Sequence, residues 1–349
     1  MEVKAGFFTN RFNQFAPFDV KRKLVGWNTG NMIFRDALHK MINCDVITPY
    51  EPVNTEKYNA FITTDLIWLQ EGVSPWPDLY EQLRASGDKP LVPISIGLQS
   101  HVAKSDFQIH PKMIDYMSAL QERVTLAVRG SYTADILGKH GIVNTEVMGC
   151  PSIYQLPLYN RSLDGLLAPL PTQIRATANF RTFIGDLKTH ERRFLAYAMQ
   201  HCKGFAEQTF DPLGKVGGVD DNIIEWMRDK SYIFFDLDSW RRHNARYNFS
   251  IGLRFHGNVA ALLANIPSLF FTIDSRTSEM TEFLNLPAMN FADFDDNAPL
   301  ESYFERANYE QFVASYPAQL KRFENYIIAC GLDFSMGYRT ALGDFVTSR

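Results

Sequence analysis

The chain has 349 residues, 46% hydrophobic and 21% charged, enough apolar material for two cores of ordinary domain size. A formal charge of -4 excludes nucleic-acid binding through a general basic field, and the basic run Lys21-Arg22-Lys23 is too short to offset it. The cysteines, Cys44, Cys150, Cys202 and Cys330, lie far apart with no C-x-x-C pair, which excludes a disulfide framework and a zinc site of the usual spacing and points to buried thiols in a reducing compartment.

The opening residues are too few and too charged for a signal peptide, and no apolar run approaches the ~18 residues of a membrane span, so a cytoplasmic protein is expected. Residues 3–8 read as a first strand, followed by a long polar and aromatic loop over 9–25 that carries Arg11, Phe12, Phe15 and Phe18. Asn28-Thr29-Gly30-Asn31 then turns into a helix whose apolar face is Met32, Ile33, Phe34, Ala37, Leu38 and Met41. Short strands are expected at 44–48 and 59–64, and a proline-started helix at 75–85. Residues 90–97 form a near-continuous apolar run, the mark of a central parallel strand. A helix over 111–123, a strand over 124–128, a helix over 131–140 stopped by Gly141 and a strand over 145–149 complete an alternating β/α series.

Between 151 and 171 the composition shifts to Pro, Leu, Ser and Asn without a period, which marks a linker. The alternation restarts with a strand over 173–179, helices over 189–200 and 219–230, and a strand over 232–236. From Phe249 the chain alternates as a strand, passes Arg254-Phe255-His256-Gly257-Asn258, and becomes an alanine- and leucine-rich helix. A strand over 267–274, a helix over 276–284 and a helical tail over 309–330 follow. The fold class is therefore α/β: two Rossmann-like domains, residues 1–165 and 166–308, in a GT-B-like arrangement with an interdomain cleft, and a tail, 309–349, crossing back to the first domain.

Strand-to-helix corners are where open α/β sheets bind ligands. At the corner of residues 254–258, Arg254 offers a fork for an anion, His256 a group that titrates near neutral pH, Gly257 close backbone approach and Asn258 a polar group at the helix start. A surface ion pair and a helix cap are the plainer explanation of the same residues. Arg129 before Gly130 and Ser131 repeats the pattern, and Arg276 in Asp274-Ser275-Arg276-Thr277 adds a third cation that capping does not explain. Asn28, Gly30 and Asn31 offer amides and a tight turn suited to sugar hydroxyls, or a simple N-cap. His101, beside Gln99 and Ser100 at a further strand end, reads as solvated and falls on the acceptor side. The chain holds no G-x-x-x-x-G-K-[ST], G-x-S-x-G or G-x-G-x-x-G motif.

These residues together resemble the polysaccharide pyruvyl transferase family. The resemblance is carried by residues 28–31, Ile94-Ser95-Ile96-Gly97, Val128-Arg129-Gly130-Ser131, Gly149-Cys150-Pro151-Ser152, Leu253-Arg254-Phe255-His256-Gly257-Asn258 and Asn265-Ile266-Pro267. It implies transfer of the enolpyruvyl group of phosphoenolpyruvate onto two hydroxyls of a sugar, with ketal formation and release of phosphate, in cell-surface polysaccharide biosynthesis. Arg129, Arg254 and His256 would contact phosphoenolpyruvate, joined by Gly257, Asn258 and Arg276; Arg254 and His256 would be catalytic. Asn28, Gly30, Asn31 and His101 would hold a saccharide or lipid-linked oligosaccharide acceptor, which fits peripheral association with the inner face of a membrane. The chemistry demands no metal and no cofactor. Two positions depart from the family pattern: Asn31 stands where an acid is usual, and Glu71-Gly72-Val73 where a glycine-rich turn is common. A nucleotide-sugar glycosyltransferase and a non-catalytic saccharide-binding homologue are the alternatives.

Overall fold

The computed structural model describes residues 4–11, 13–48, 53–101, 103–180, 187–209 and 219–347. In the N-terminal half, β1 (Ala5–Phe8), β2 (Cys44–Ile47), β3 (Ala60–Thr63), β4 (Leu69–Gln70), β5 (Leu91–Pro93), β6 (Leu98–Gln99), β7 (Leu126–Val128) and β8 (Thr145–Val147) alternate with helices. Four pair in parallel in the order β2-β1-β3-β5. The apolar run at 90–97 does not stay one strand. It breaks at Ser95, whose φ of 72° lies in the left-handed region that β-carbon sterics disfavour. Pairing resumes at Ile96, which bridges Val128 and so joins β5 to the β7-β8 pair.

The C-terminal half holds β9 (Ala176–Phe180), β10 (Cys202–Glu207), β11 (Ser231–Tyr232), β12 (Phe249–Gly252), β13 (Ser268–Thr272) and β14 (Ala288–Asn290). All pair in parallel in the order β11-β10-β9-β12-β13-β14. Re-counted in chain order this is 3-2-1-4-5-6, the doubly wound order, and its reversal falls between β9 and β12. The carboxyl ends of those two strands, at Asn179 and Gly252, are where such a sheet opens a crevice. The α/β class, with parallel sheets in both halves, thus stands.

Several local expectations change. The loop at 9–25 contains a helix, Phe18–Leu24, with no buried residue. The strand expected at 232–236 ends at Tyr232; Phe234 instead stacks on Trp240, on a helix over Leu237–Asn244. Strands β10 and β14 and a helix over Leu300–Arg306 are additional. The tail forms two helices, Glu310–Ala329 and Met336–Thr347. It starts against the second sheet, where the Tyr309 hydroxyl donates to the Ser268 carbonyl. It then runs over the first half, where Tyr316, Tyr326 and Tyr338 donate to the carbonyls of Ile153, Thr125 and Tyr154. No helix among the described residues is long and apolar enough to cross a membrane.

Candidate functional site

The corner after β12 is built by its neighbour strand. Asn179, buried near the end of β9, accepts from the Arg254 N–H at 2.9 Å through its side chain and from the Leu253 N–H at 3.2 Å through its carbonyl. Gly252 must be glycine, because a β-carbon there would stand 2.1 Å from the Asn179 carbonyl oxygen. Asn258, fully buried, closes the arrangement: its oxygen accepts from Asn179 at 2.6 Å and from the Ser250 hydroxyl at 3.0 Å, and its amide donates to the carbonyls of Gly252 and Leu269. These bonds fix where Arg254 and His256 begin.

One cavity of about 80 Å³ then gathers Arg129, Arg254, His256 and Arg276 with Asn28, Asn31 and Gln208 on its wall. Arg129 reaches it from the end of β7. It is buried, and its Nε donates to the Ser95 carbonyl at 3.2 Å and the Ser95 hydroxyl at 3.0 Å, so the left-handed Ser95 serves to present both acceptors to it. Anchorage through Nε leaves the terminal nitrogens of the fork for a ligand. Burial lowers the Arg129 pKa to about 10, with Arg276 adding to the fall, and the group stays charged at neutral pH. Arg276 donates to Asp274 at 2.9 Å, while its Nε is buried with no hydrogen-bond partner among the described residues.

His256 sits among these cations. Its Nε2 is 3.4 Å from the Cys150 sulfur, and its ring lies 5.4 Å from the rings of Phe34 and Phe255. Burial, then the charges of Arg129, Arg254 and Arg276, hold its pKa well below the usual 6.5. It does not titrate near neutral pH, as the sequence suggested; at rest it is a neutral imidazole. Cys150 is pushed the other way by burial, so the pair is a thiol beside a neutral ring.

Four of the sequence-derived site residues fall elsewhere. Asn258 is committed to the internal bonds just described. Gly257 and Gly30 face packed side chains instead of open space: a β-carbon would stand 2.6 Å from the Gln208 amide nitrogen at Gly257, and 2.4 Å from the Gln208 amide oxygen at Gly30. His101 lines a separate, larger cavity of about 660 Å³, with Glu71 and Gln99 from the first half and His190, Glu191 and Phe291 from the second. The two cavities share Ile273 and Asp274 as a common wall. Asn28 and Asn31, read as acceptor ligands, therefore stand with the arginines. Asn31 donates to the Val25 carbonyl at 3.1 Å, a bond that the acid usual at this position could not make. Asn28 accepts from the Gly30 N–H at 3.0 Å. The sequence reading missed Gln208, which follows the unexpected β10, and it missed Asn179. It also missed Glu279, whose carboxylate crosses to the first half and accepts from the Thr133 N–H at 3.0 Å and hydroxyl at 2.7 Å.

Comparison with known proteins bears on this geometry. The family model described as polysaccharide pyruvyl transferase matches residues 78–275, which include Arg129, Arg254 and His256. No curated protein matches the chain. Among solved structures, a putative UDP-N-acetylglucosamine 2-epimerase from Listeria monocytogenes is similar at 10% identity and a TM-score of 0.46, with 93% of this chain and 98% of that one covered. A UDP-GlcNAc 2-epimerase from Methanocaldococcus jannaschii is similar at 10% identity and a TM-score of 0.41, covering 87% and 91%. The wall teichoic acid polymerase TagF is similar at 10% identity and a TM-score of 0.40, covering 99% and 88%.

Proposed function

The chain belongs to the polysaccharide pyruvyl transferase family, and from that premise we propose that it transfers the enolpyruvyl group of phosphoenolpyruvate to two hydroxyls of a saccharide. The observation that carries this reading is the convergence of Arg129, Arg254 and Arg276 with one neutral histidine on a single cavity. Phosphoenolpyruvate is a compact anion with a phosphate and a carboxylate, and forked guanidinium groups bind both through charge-assisted hydrogen bonds. Buried cations with fixed anchors, such as Arg129 on Ser95, need little rearrangement when the charge arrives.

The acceptor belongs in the adjoining cavity. At about 660 Å³ it falls within the ~300–1,000 Å³ of ordinary ligand sites. His101, Glu71 and Gln99 supply polar contacts from one side, and His190 and Phe291 an aromatic wall from the other. Because the two cavities share the wall at Asp274, an acceptor bound there would present its hydroxyls to the arginine cavity.

In the reaction, two acceptor oxygens bond to C2 of the enolpyruvyl group, its methylene carbon gains a proton, and the C2–O bond to phosphate breaks. One hydroxyl proton balances the methylene proton and the other leaves with phosphate. A histidine that is neutral before the substrates meet is suited to take the proton of an attacking hydroxyl, a role worth roughly 10²–10⁴ in rate. The arginines stabilise the departing phosphate. Incubation with phosphoenolpyruvate and a panel of saccharides, lipid-linked ones included, is expected to release inorganic phosphate and give a ketal with the acceptor. Absence of phosphate release with every acceptor, together with absence of calorimetric binding of phosphoenolpyruvate, rejects the reading. Thermal stabilisation by a nucleoside diphosphate alone would point to a nucleotide-sugar transferase.

A further inference from the structure

Gln208 carries an observation that the arginines do not explain. It follows β10, is 2% exposed, and is held on every side. Its N–H donates to the Glu207 carboxylate at 2.8 Å, which also accepts from the Thr209 N–H at 2.8 Å, so one buried acid sets the turn. Its carbonyl accepts from the Thr29 N–H of the other half at 2.8 Å. Its side chain occupies a slot between two glycines, Gly30 and Gly257, that has no room for a β-carbon on either side. Gln208 also lines the arginine cavity, yet its amide nitrogen, so confined, has no hydrogen-bond partner among the described residues.

A buried donor without an acceptor is disfavoured, and native proteins seldom keep one where nothing will use it. The surrounding wall is rich in donors, Arg129, Arg254, and Arg276 with a second orphan nitrogen, and its acceptors are already engaged, Asp274 by Arg276 and Thr277 and Asn28 by the Gly30 N–H. What satisfies a ring of donors is an anion with several oxygens. A neutral amide adds a directed bond without raising the mutual repulsion of the cations.

We infer that Gln208 is a further ligand of the donor substrate, its side-chain amide hydrogen-bonding an oxyanion of phosphoenolpyruvate in the arginine cavity. The inference rests on the proposed function, and Gly30 and Gly257 then act as positioning residues for Gln208. The test compares wild type, Gln208→Met, Gln208→Glu and Arg254→Ala by calorimetry with phosphoenolpyruvate and by thermal melting. Methionine keeps the length and removes the donor; it is expected to melt at or above the wild-type temperature while binding 10- to 100-fold more weakly. Glutamate, which sets a carboxylate against the incoming anion, is expected to bind more weakly still. If wild type binds, Arg254→Ala does not, and Gln208→Met binds as wild type does, the assignment of Gln208 is wrong and the donor reading survives. If both Gln208 variants melt far below wild type, the residue is structural and the inference fails. If wild type itself does not bind phosphoenolpyruvate, the donor reading fails first and Gln208 loses its ligand with it.

Discussion

At the scale of single residues, charge state decides what His256 can do. An imidazole in the unfolded chain titrates near 6.5, whereas the folded one, buried beside three arginines, resists protonation until the pH is well below that. As pH falls through 6.5 the unfolded state therefore takes up a proton that the folded state refuses. The contribution of His256 to stability is complete above about 6.5 and is lost as the medium is acidified toward its folded value. The share due to His256 is read as the difference in melting temperature between wild type and His256→Asn, which is expected to shift in favour of the variant as the pH falls from 8 to 5. Phosphoenolpyruvate should lessen the loss, because a bound anion offsets the arginines and restores the affinity of the ring for a proton. A His256→Asn variant with an unchanged acid-side slope would show that another group is responsible. Arg254 and His256 were legible as a pair in the sequence because a strand-to-helix corner is a local pattern. Their neutral–cationic relationship was not, because Arg129 and Arg276 come to His256 from 127 residues upstream and 20 residues downstream.

At the scale of elements, the corner depends on one amide. Asn258 ties β9, β12 and β13 together through Asn179, Ser250, Gly252 and Leu269. Replacement by alanine would strand two buried donors and two carbonyls, and a buried unsatisfied group costs about 1–3 kcal/mol each. Asn258→Ala is thus expected to lose at least ~3 kcal/mol in denaturant unfolding, where Arg254→Ala loses little stability and much binding. Equal and small stability losses for the two would contradict the internal role of Asn258. Element type was readable wherever apolar residues kept a period, as in the strand from Phe249 and the helix after it. The period failed at β10. Its sequence, Cys202 to Glu207, has no β-branched residue and begins immediately after the helix ending at His201, with no break to announce a change. Gly204 inside it looks like a turn signal but is there because the Tyr247 hydroxyl occupies the place of its β-carbon. Missing that strand hid Gln208. The roles of Gly30 and Gly257 were hidden for a related reason: Gln208 reaches Gly30 only when the halves assemble, and reaches Gly257 only through the strand that the sequence did not announce.

At the scale of the whole molecule, the two halves are clasped across the site by groups that titrate in opposite directions. Ser275 accepts from the Ser100 N–H at 3.0 Å and donates to the Leu98 carbonyl at 2.9 Å, and Thr29 donates to Gln208. Beside them Glu279 grips Thr133 at the start of the helix Ser131–Lys139, while Gly130 lets the two backbones approach, since a β-carbon there would meet that of Glu279 at 2.4 Å. Burial raises the Glu279 pKa to about 7, against the pull of Thr133 and Arg129, from an ordinary 4.5. A carboxyl freed by separation of the halves, or by unfolding, ionises near 4.5. The clasped form is therefore fully favoured below about 4.5 and loses that advantage as pH rises through 7. His256 penalises acid and Glu279 penalises base, so the closed arrangement is bounded on both sides. The arginine cavity is lined from both halves at this junction, which makes the position of this balance a property of turnover as well as of stability. Glu279→Gln keeps an acceptor for Thr133 and removes the charge. It is expected to flatten the decline in melting temperature between pH 5 and pH 8 and to keep the radius of gyration at pH 8 at its pH 5 value, whereas wild type expands with pH in solution scattering. The same slope and the same expansion in both proteins would mean that Glu279 does not govern the clasp, and the pH response would have to be sought in groups outside the interface.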